Sequence, residues 1–519
     1  MVRQIETAVL VIGGGATGVG AARDLAMRGV DTVLVEQYHL AYGTTSRHTG
    51  VLHSGARYAV RDPRAAAECY RENQTLRRIM PHCLEDVDAF FVQTAWDEPD
   101  YLPAFLAGCQ AAGIPVEEAG AGRLLKQEPA LTRRIYACFR TPDTSGDPFL
   151  STQYTADSAR QHGARILTFH QVVNLWQEQG RGHGALCRDL VNDEEVAVRR
   201  ELVVNAAGVW AGRLAASIGL NIPLLPSRGA MLALNQRIVN SLVLRCHIPS
   251  DADALIPSHT VTLTGSTDGD ICQPDDVSIN PQHIQVIMEE AEKLVPGIRS
   301  MRRLRAWASV RPLYAEDVPT GDTRRVTRAH ALLDHQARDG MPGLLTIIGG
   351  KWTTYRLMAE EVADLACKKL GVQRPCRTHL EVLPGADGPR YYRRGAPLRR
   401  IEDTSAQGGL ICECELVTSA EVETLILSGQ ARTPDDLRQL RRVGMGPCQG
   451  AACTYRAAVL LRRFLPPPVQ QSNRALLEFL QERWKGQAPI LAGQQLQQAR
   501  LNELIYRDVL SADHLPGAA

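Results

Sequence analysis

Residues 7–36 limit the fold more sharply than any other stretch. Thr7-Ala8-Val9-Leu10-Val11-Ile12 is a continuous apolar, β-branched run, the pattern of a parallel strand covered on both faces. Gly13-Gly14-Gly15-Ala16-Thr17-Gly18 follows, and a helix is expected to run to about Gly29, a natural stop. Asp31-Thr32-Val33-Leu34-Val35-Glu36 then reads as a second strand ending in a carboxylate. Each part has a mechanical reason in a dinucleotide site. Gly13 permits the tight turn, Gly15 lets the backbone approach a pyrophosphate, and Gly18 lets the helix lie close on the strand. The helix start at Ala16 and Thr17 offers unpaired N–H groups to phosphate. Glu36 can accept hydrogen bonds from both ribose hydroxyls, which favours a cofactor without a 2′-phosphate. A purely structural turn would leave Glu36 without a purpose.

Two later stretches repeat the theme. Glu201-Leu202-Val203-Val204-Asn205-Ala206-Ala207-Gly208 is a strand ending in small residues. Leu344 to Ile348, Gly349-Gly350-Lys351 and a helix from about Thr354 to Leu370 form another strand, glycine turn and helix. That helix start can aim its positive end at a ligand. The class is α/β, and FAD and NAD both fit this much.

The chain has 519 residues, enough for roughly three domains, or two with one large. Its 58 Lys and Arg against 57 Asp and Glu leave a net charge of +1, which argues against a nucleic-acid binder. No apolar run approaches the ~20 residues of a transmembrane segment. The run from Ala8 to Ile12 is too short for a signal-peptide core, so secretion is not expected.

Ser46-Arg47-His48-Thr49-Gly50-Val51-Leu52-His53-Ser54-Gly55-Ala56-Arg57-Tyr58 narrows the choice. With the Gly13–Gly18 turn, Asn205-Ala206-Ala207-Gly208, Ser309-Val310-Arg311-Pro312-Leu313 and the Gly349 to Arg356 stretch, it resembles the FAD-dependent glycerol-3-phosphate dehydrogenases of the D-amino-acid-oxidase fold. The similarity covers essentially the whole chain and, with the C-terminal cysteines, extends to the anaerobic, multi-subunit branch of that family. It implies a Rossmann-like FAD-binding domain over 1–383, interleaved with an antiparallel-sheet substrate domain drawn from stretches near 75–200 and 225–340. Flavin contacts are implied at Ser46, Arg47, Gly50, Gly208, Gly350, Thr353 and Thr354, and an adenine contact at the backbone of Val173.

The implied reaction is oxidation of sn-glycerol 3-phosphate to glycerone phosphate, with FAD accepting hydride. Arg57, Arg311 and Lys351 stand where the family binds substrate; Arg offers a fork for phosphate and Lys a point charge. His53, four residues before Arg57, is the first candidate for the base, a packed histidine bonded to a carbonyl being the alternative. His48 and Thr49 replace the Asn-His pair expected in the closest relatives, and Met231 stands where aerobic relatives carry a histidine. A related dehydrogenase for a 2-hydroxy acid or imino acid would set the same cations against a carboxylate. A non-catalytic, electron-bridging flavin subunit would not need them.

Thirteen cysteines divide into two sets. Nine are scattered and read as small buried hydrophobes. The other four, Cys412, Cys414, Cys448 and Cys453, follow a Gly- and Pro-rich linker at 384–408 and form C-x-C and C-x₄-C pairs. Thr418 to Glu421 reads as a capping box, and Thr433-Pro434-Asp435-Asp436 starts a second helix between the pairs. Four thiolates in a small helical module suit a [2Fe–2S] cluster or structural zinc. The pattern resembles the bacterioferritin-associated-ferredoxin-like [2Fe–2S] domain, which would occupy 409–465. A C-terminal helical extension over 466–519, with a helix from Asn473 to Trp484, is expected to pack on a neighbour. The resemblance further implies a second flavin subunit, an iron–sulfur membrane-anchor subunit, FMN within the complex and a quinone as acceptor. It puts the chain on the cytoplasmic face of the inner membrane, held there through partners.

Overall fold

In the computed structural model, which describes residues 2–178, 181–316, 326–387, 396–403, 408–465 and 469–511, the glycine-rich unit forms as β1 (Arg3–Ile12), α1 (Ala16–Met27) and β2 (Thr32–Val35). β1 pairs in parallel with β2 on one side and with β3 (Glu194–Asn205) on the other. Leu344–Gly349 and Arg165–Leu167 extend this parallel core outward, and His330–Asp334 closes one edge antiparallel. Both faces are covered, which is why Val9, Leu10 and Val11 are fully buried and the strands read as unbroken apolar runs. Helix α2 (Tyr355–Leu370) crosses α1 so closely that a Cβ at Gly20 would lie 2.9 Å from the Ala359 Cβ.

A second sheet of nine strands, mostly antiparallel, carries the substrate side of the molecule. Its long pair is β4 (Leu224–Leu234) against β5 (Arg303–Tyr314). Ala89–Thr94 and Leu242–Arg245 are its parallel exception. The stretch near 75–200 divides between the two sheets. Ala89–Thr94 and Ile135–Thr141 join the second, whereas 165–205 belongs to the nucleotide sheet, because β3 needs β1 beside it to bury Val203 and Val204.

The C-terminal third is helical: α3 (Ser419–Leu427), α4 (Pro434–Arg441), α5 (Cys453–Phe464) and α6 (Val469–Gln487). Thr418 and Glu421 form the expected reciprocal cap, as do Thr433 and Asp436. Two expectations change. Ala396–Asp403 is a helix within the stretch read as linker, whose residues 388–395 and 404–407 lie outside the described residues. α6 is longer than Asn473–Trp484 in both directions. Among the described residues no helix is long and apolar enough to cross a membrane.

Candidate functional site

The C-terminal ends of β1 and β2 open on a cavity of about 1680 Å³, above the ~300–1,000 Å³ of an ordinary small-ligand pocket. Its nucleotide wall is mostly backbone. Gly13 has φ +112°, and a Cβ there would lie 2.5 Å from the Ala206 carbonyl oxygen. Helix α1 starts after Gly15, which brings no side-chain cap, and has no acid in its first turn; Thr45 Oγ1 accepts from the Ala16 N–H at 3.1 Å, and the positive end of the helix faces the cavity. Glu36 accepts from the Gly14 N–H at 2.7 Å and the Tyr38 N–H at 3.0 Å. Burial raises its pKa, with those N–H groups opposing. Bare glycine backbone, an open helix end and an acid at the tip of β2 fit the pyrophosphate and ribose of FAD.

The opposite wall is built from side chains. His53 Nδ1 lies 3.3 Å from Asp143 Oδ1, and the His53 backbone N–H donates to Thr353 Oγ1 at 3.0 Å. Asp143 is buried and also accepts from the Ser54 N–H at 3.0 Å and the Thr141 hydroxyl at 2.9 Å. Burial alone would raise the Asp143 pKa; His53 and Ser54 outweigh it and hold it below the usual carboxylate range. An ionised Asp143 favours the proton on His53 Nδ1 and leaves Nε2 as the acceptor.

The three expected cations share this wall with Arg328. Arg311 donates from Nη1 to Asp268 Oδ1 at 2.6 Å, and from Nη2 to Ser266 Oγ at 2.8 Å and the Thr267 carbonyl at 3.0 Å. Gly229 makes room for it: a Cβ there would sit 2.5 Å from Arg311 Nη2. Lys351 Nζ donates to the Arg328 carbonyl at 3.0 Å and lies 4.9 Å from the centre of the Tyr58 ring. Arg57 Nη1 donates to Asp253 Oδ2 at 2.6 Å. Burial opposes the charge on Asp253, yet Arg57 and then His247 hold its pKa down at about 2. Each cation is therefore fixed by a partner before any ligand arrives.

Among the expected cofactor residues, Gly13, Gly15, Ala16, Thr17, Glu36 and Arg47 border the cavity. Val173, Gly208, Gly350 and Thr353 do as well, as do His53, Arg57, Arg311 and Lys351. Gly18, Ser46, Gly50 and Thr354 do not. Gly18 packs helix on turn, since its Cβ would meet the Gly13 carbonyl oxygen at 1.9 Å. The Ser46 hydroxyl turns to the Tyr42 and Gly43 carbonyls, each at 3.4 Å. Gly50 donates its N–H to His48 Nδ1, and the Thr354 hydroxyl accepts from the Lys351 N–H at 3.2 Å. Sequence reasoning missed Asp143, Asp253 and Asp268. Asp143 lies 90 residues beyond His53, and no local pattern marks it.

The four C-terminal cysteines converge. Cys412 contacts Cys453, Cys453 contacts Cys448, and Cys448 contacts Cys414. The Cys448 thiol is pushed well down because Cys414 and Cys453 donate to it. Backbone N–H groups of Gly450 and Ala451 also point at Cys448, and those of Gly444 and Glu415 at Cys412. Gly446 leaves room beside Cys414, where a Cβ would come within 2.4 Å of the Cys414 Cβ. A tetrahedral zinc would draw all four sulfurs to about 3.8 Å from one another. The described residues instead hold one group of three ligand atoms all within 4.8 Å, Glu360, Cys376 and His379. There the Cys376 thiol is pushed up to about 11 by burial beside Asp24, which leaves it protonated. Linked pairs of thiols with N–H groups aimed at sulfur fit a [2Fe–2S] cluster better than a single ion.

Comparison with known proteins finds a family model over each of the two regions. The FAD dependent oxidoreductase family model matches residues 8–356, and the BFD-like [2Fe-2S] binding domain model matches residues 410–463. One subunit of the anaerobic glycerol-3-phosphate dehydrogenase of Escherichia coli (strain K12) is 40% identical, over 96% of this chain and 96% of its own. The corresponding Haemophilus influenzae protein is 39% identical, over 98% of this chain and 93% of its own. Among solved structures, the glycerol-3-phosphate dehydrogenase from Bacillus halodurans complexed with FAD superposes with a TM-score of 0.68 at 21% identity, covering 94% of this chain and 96% of its own.

Proposed function

The chain belongs to the FAD dependent oxidoreductase family, and from that premise we propose that it oxidises sn-glycerol 3-phosphate to glycerone phosphate and passes the electrons on through a [2Fe–2S] cluster. FAD, when bound, supplies the hydride acceptor. The observation that carries the reading is the pairing of His53 and Asp143 on the same cavity wall as Arg57, Arg311 and Lys351.

Removing hydride from a secondary alcohol requires a base at the hydroxyl. His53 Nε2 takes that proton, and Asp143 steadies the imidazolium as it forms. A dianionic phosphate needs fixed positive charge, which Arg311 and Lys351 offer with little left to reorganise, since each is already held. Arg57 adds a third cation, pinned by Asp253.

Cys412, Cys414, Cys448 and Cys453 hold the cluster, whose one-electron chemistry lets a two-electron oxidation be delivered in single steps. The relatives are named as subunits, which supports assembly with partner chains. The finer picture is a peripheral protein on the cytoplasmic face of the inner membrane, working toward quinone with two partners, an iron–sulfur membrane anchor and a second flavin subunit. FMN belongs to the complex in this reading.

Anaerobic purification followed by absorbance spectroscopy tests the substrate. Flavin absorbance should bleach on adding glycerol 3-phosphate and stay unchanged with lactate, proline or 2-hydroxyglutarate. Bleaching by one of the carboxylates and not by the phosphate ester would overturn the assignment.

A further inference from the structure

The helices beyond residue 465, which neither family model covers, pack on the loop that carries Cys448 and Cys453. Phe479 of α6 lies against Gly444 and Gly450, where a Cβ would come within 2.9 and 3.6 Å of its ring. The Tyr506 hydroxyl donates to the Gly450 carbonyl at 2.9 Å. From the flavin side, Arg302, just before β5, donates from Nη2 to the Pro447 carbonyl at 2.5 Å and from Nη1 to Gln498 Oε1 at 3.2 Å. Arg483 of α6 is 5% exposed and donates to Gln449 Oε1, while its Nε has no partner among the described residues. Gly486 lets α6 close down on β5, since a Cβ there would come 2.4 Å from Arg305 Cγ.

Charge completes the picture. Arg302 feels Cys448 and Cys414, and Arg483 feels Cys453. The other charged groups acting on Arg483 are Arg305, Arg438 and Asp435, so its surroundings remain net positive. A guanidinium does not lose its proton in a protein, so these charges stay fixed.

We propose that Arg302 and Arg483 are positioning residues that raise the reduction potential of the [2Fe–2S] cluster held by Cys412, Cys414, Cys448 and Cys453; this rests on the electron route proposed above. Reduction brings one electron from the reduced flavin and adds one negative charge to a group already carrying four thiolates. Two guanidinium groups, Arg483 buried and Arg302 half-buried, favour that more negative state. No proton moves on either arginine. The C-terminal extension thereby has a function: it delivers one of the two charges and clamps the loop that the other one grips.

Redox titration of the anaerobically purified full chain, followed by the electron paramagnetic resonance of the reduced cluster, tests this. Arg483→Met and Arg302→Met should each lower the reduced-to-oxidised ratio about tenfold at the wild-type midpoint, equal to ~59 mV for one electron. Arg483→Lys and Arg302→Lys should recover most of the shift, and the flavin midpoint should hold. If a Met variant loses iron, Arg→Gln at the same position keeps a donor for the loop and is read the same way. A full-iron variant with an unmoved cluster midpoint overturns the proposal, as does a Lys variant that shifts as far as Met. Absence of any iron–sulfur signal in the wild type would overturn the electron route itself, so the two failures are distinguishable.

Discussion

The two walls of the cavity are made of different material. On the nucleotide side, Gly13, Gly15 and the open end of α1 present backbone, and Glu36 adds a carboxylate at the tip of β2. On the substrate side the groups that matter are side chains held by other side chains: His53 by Asp143, Arg57 by Asp253, Arg311 by Asp268. Backbone recognition demands shape and tolerates no added atom. Side-chain recognition demands charge, and fails when a partner is left alone. The two walls should therefore break in different ways.

The largest effect is expected at Gly18. Gly18→Val drives a branched side chain into the Gly13 carbonyl, 1.9 Å from the first added carbon, and should cost more than ~4 kcal/mol. Flavin-to-protein ratio and thermal melting would read it, with FAD lost and the protein poorly folded. Arg311→Ala should do the reverse, retaining FAD while kcat/KM for glycerol 3-phosphate falls about 10³-fold, because the phosphate loses a guanidinium and meets the Asp268 carboxylate in its place. Asp143→Asn keeps the shape of the pair but removes the charge that fixes the His53 tautomer. Stopped-flow flavin reduction should slow by about 10²-fold with substrate affinity little changed.

The smallest effect is a pH dependence. Asp253 is held at about 2 in the folded chain against 3.8 ordinarily, so its stabilising contribution is complete above pH 4 and is lost as pH falls toward 2. That contribution is ~2 kcal/mol. Urea melts of the wild type and Asp253→Asn at a series of pH values should converge on the acid side; a constant gap down to pH 2 would count against it.

The same contrast explains what could be read before any coordinates. Shape written in consecutive residues, as in Gly13 to Gly18 or Thr433 to Asp436, is legible because each position constrains its neighbour. The cysteine pairs were legible for the same reason. Asp143, Asp253 and Asp268 were not, since what they do depends on a partner 90, 196 and 43 residues away. Ser46 and Thr354 sit in the right motifs, yet their hydroxyls serve local turns instead of the cavity. The extension past residue 465 gave no sign of its role, because Phe479, Arg483 and Tyr506 act on a loop folded by other residues.

One strand ties the ends of the molecule together. β5 begins beside the cysteine loop, just after Arg302, which reaches Pro447, and passes Arg311 in the cavity before it ends at Tyr314, with Arg305, Trp307 and Ser309 on the same face between them. Its rise of ~3.3 Å per residue turns the span between the cavity and the cysteine loop into a matter of residue count. A single inserted residue would lengthen that span and turn Arg311 toward the hydrophobic interior at the same stroke. Along this rod, the cavity and the cysteine loop keep a fixed separation.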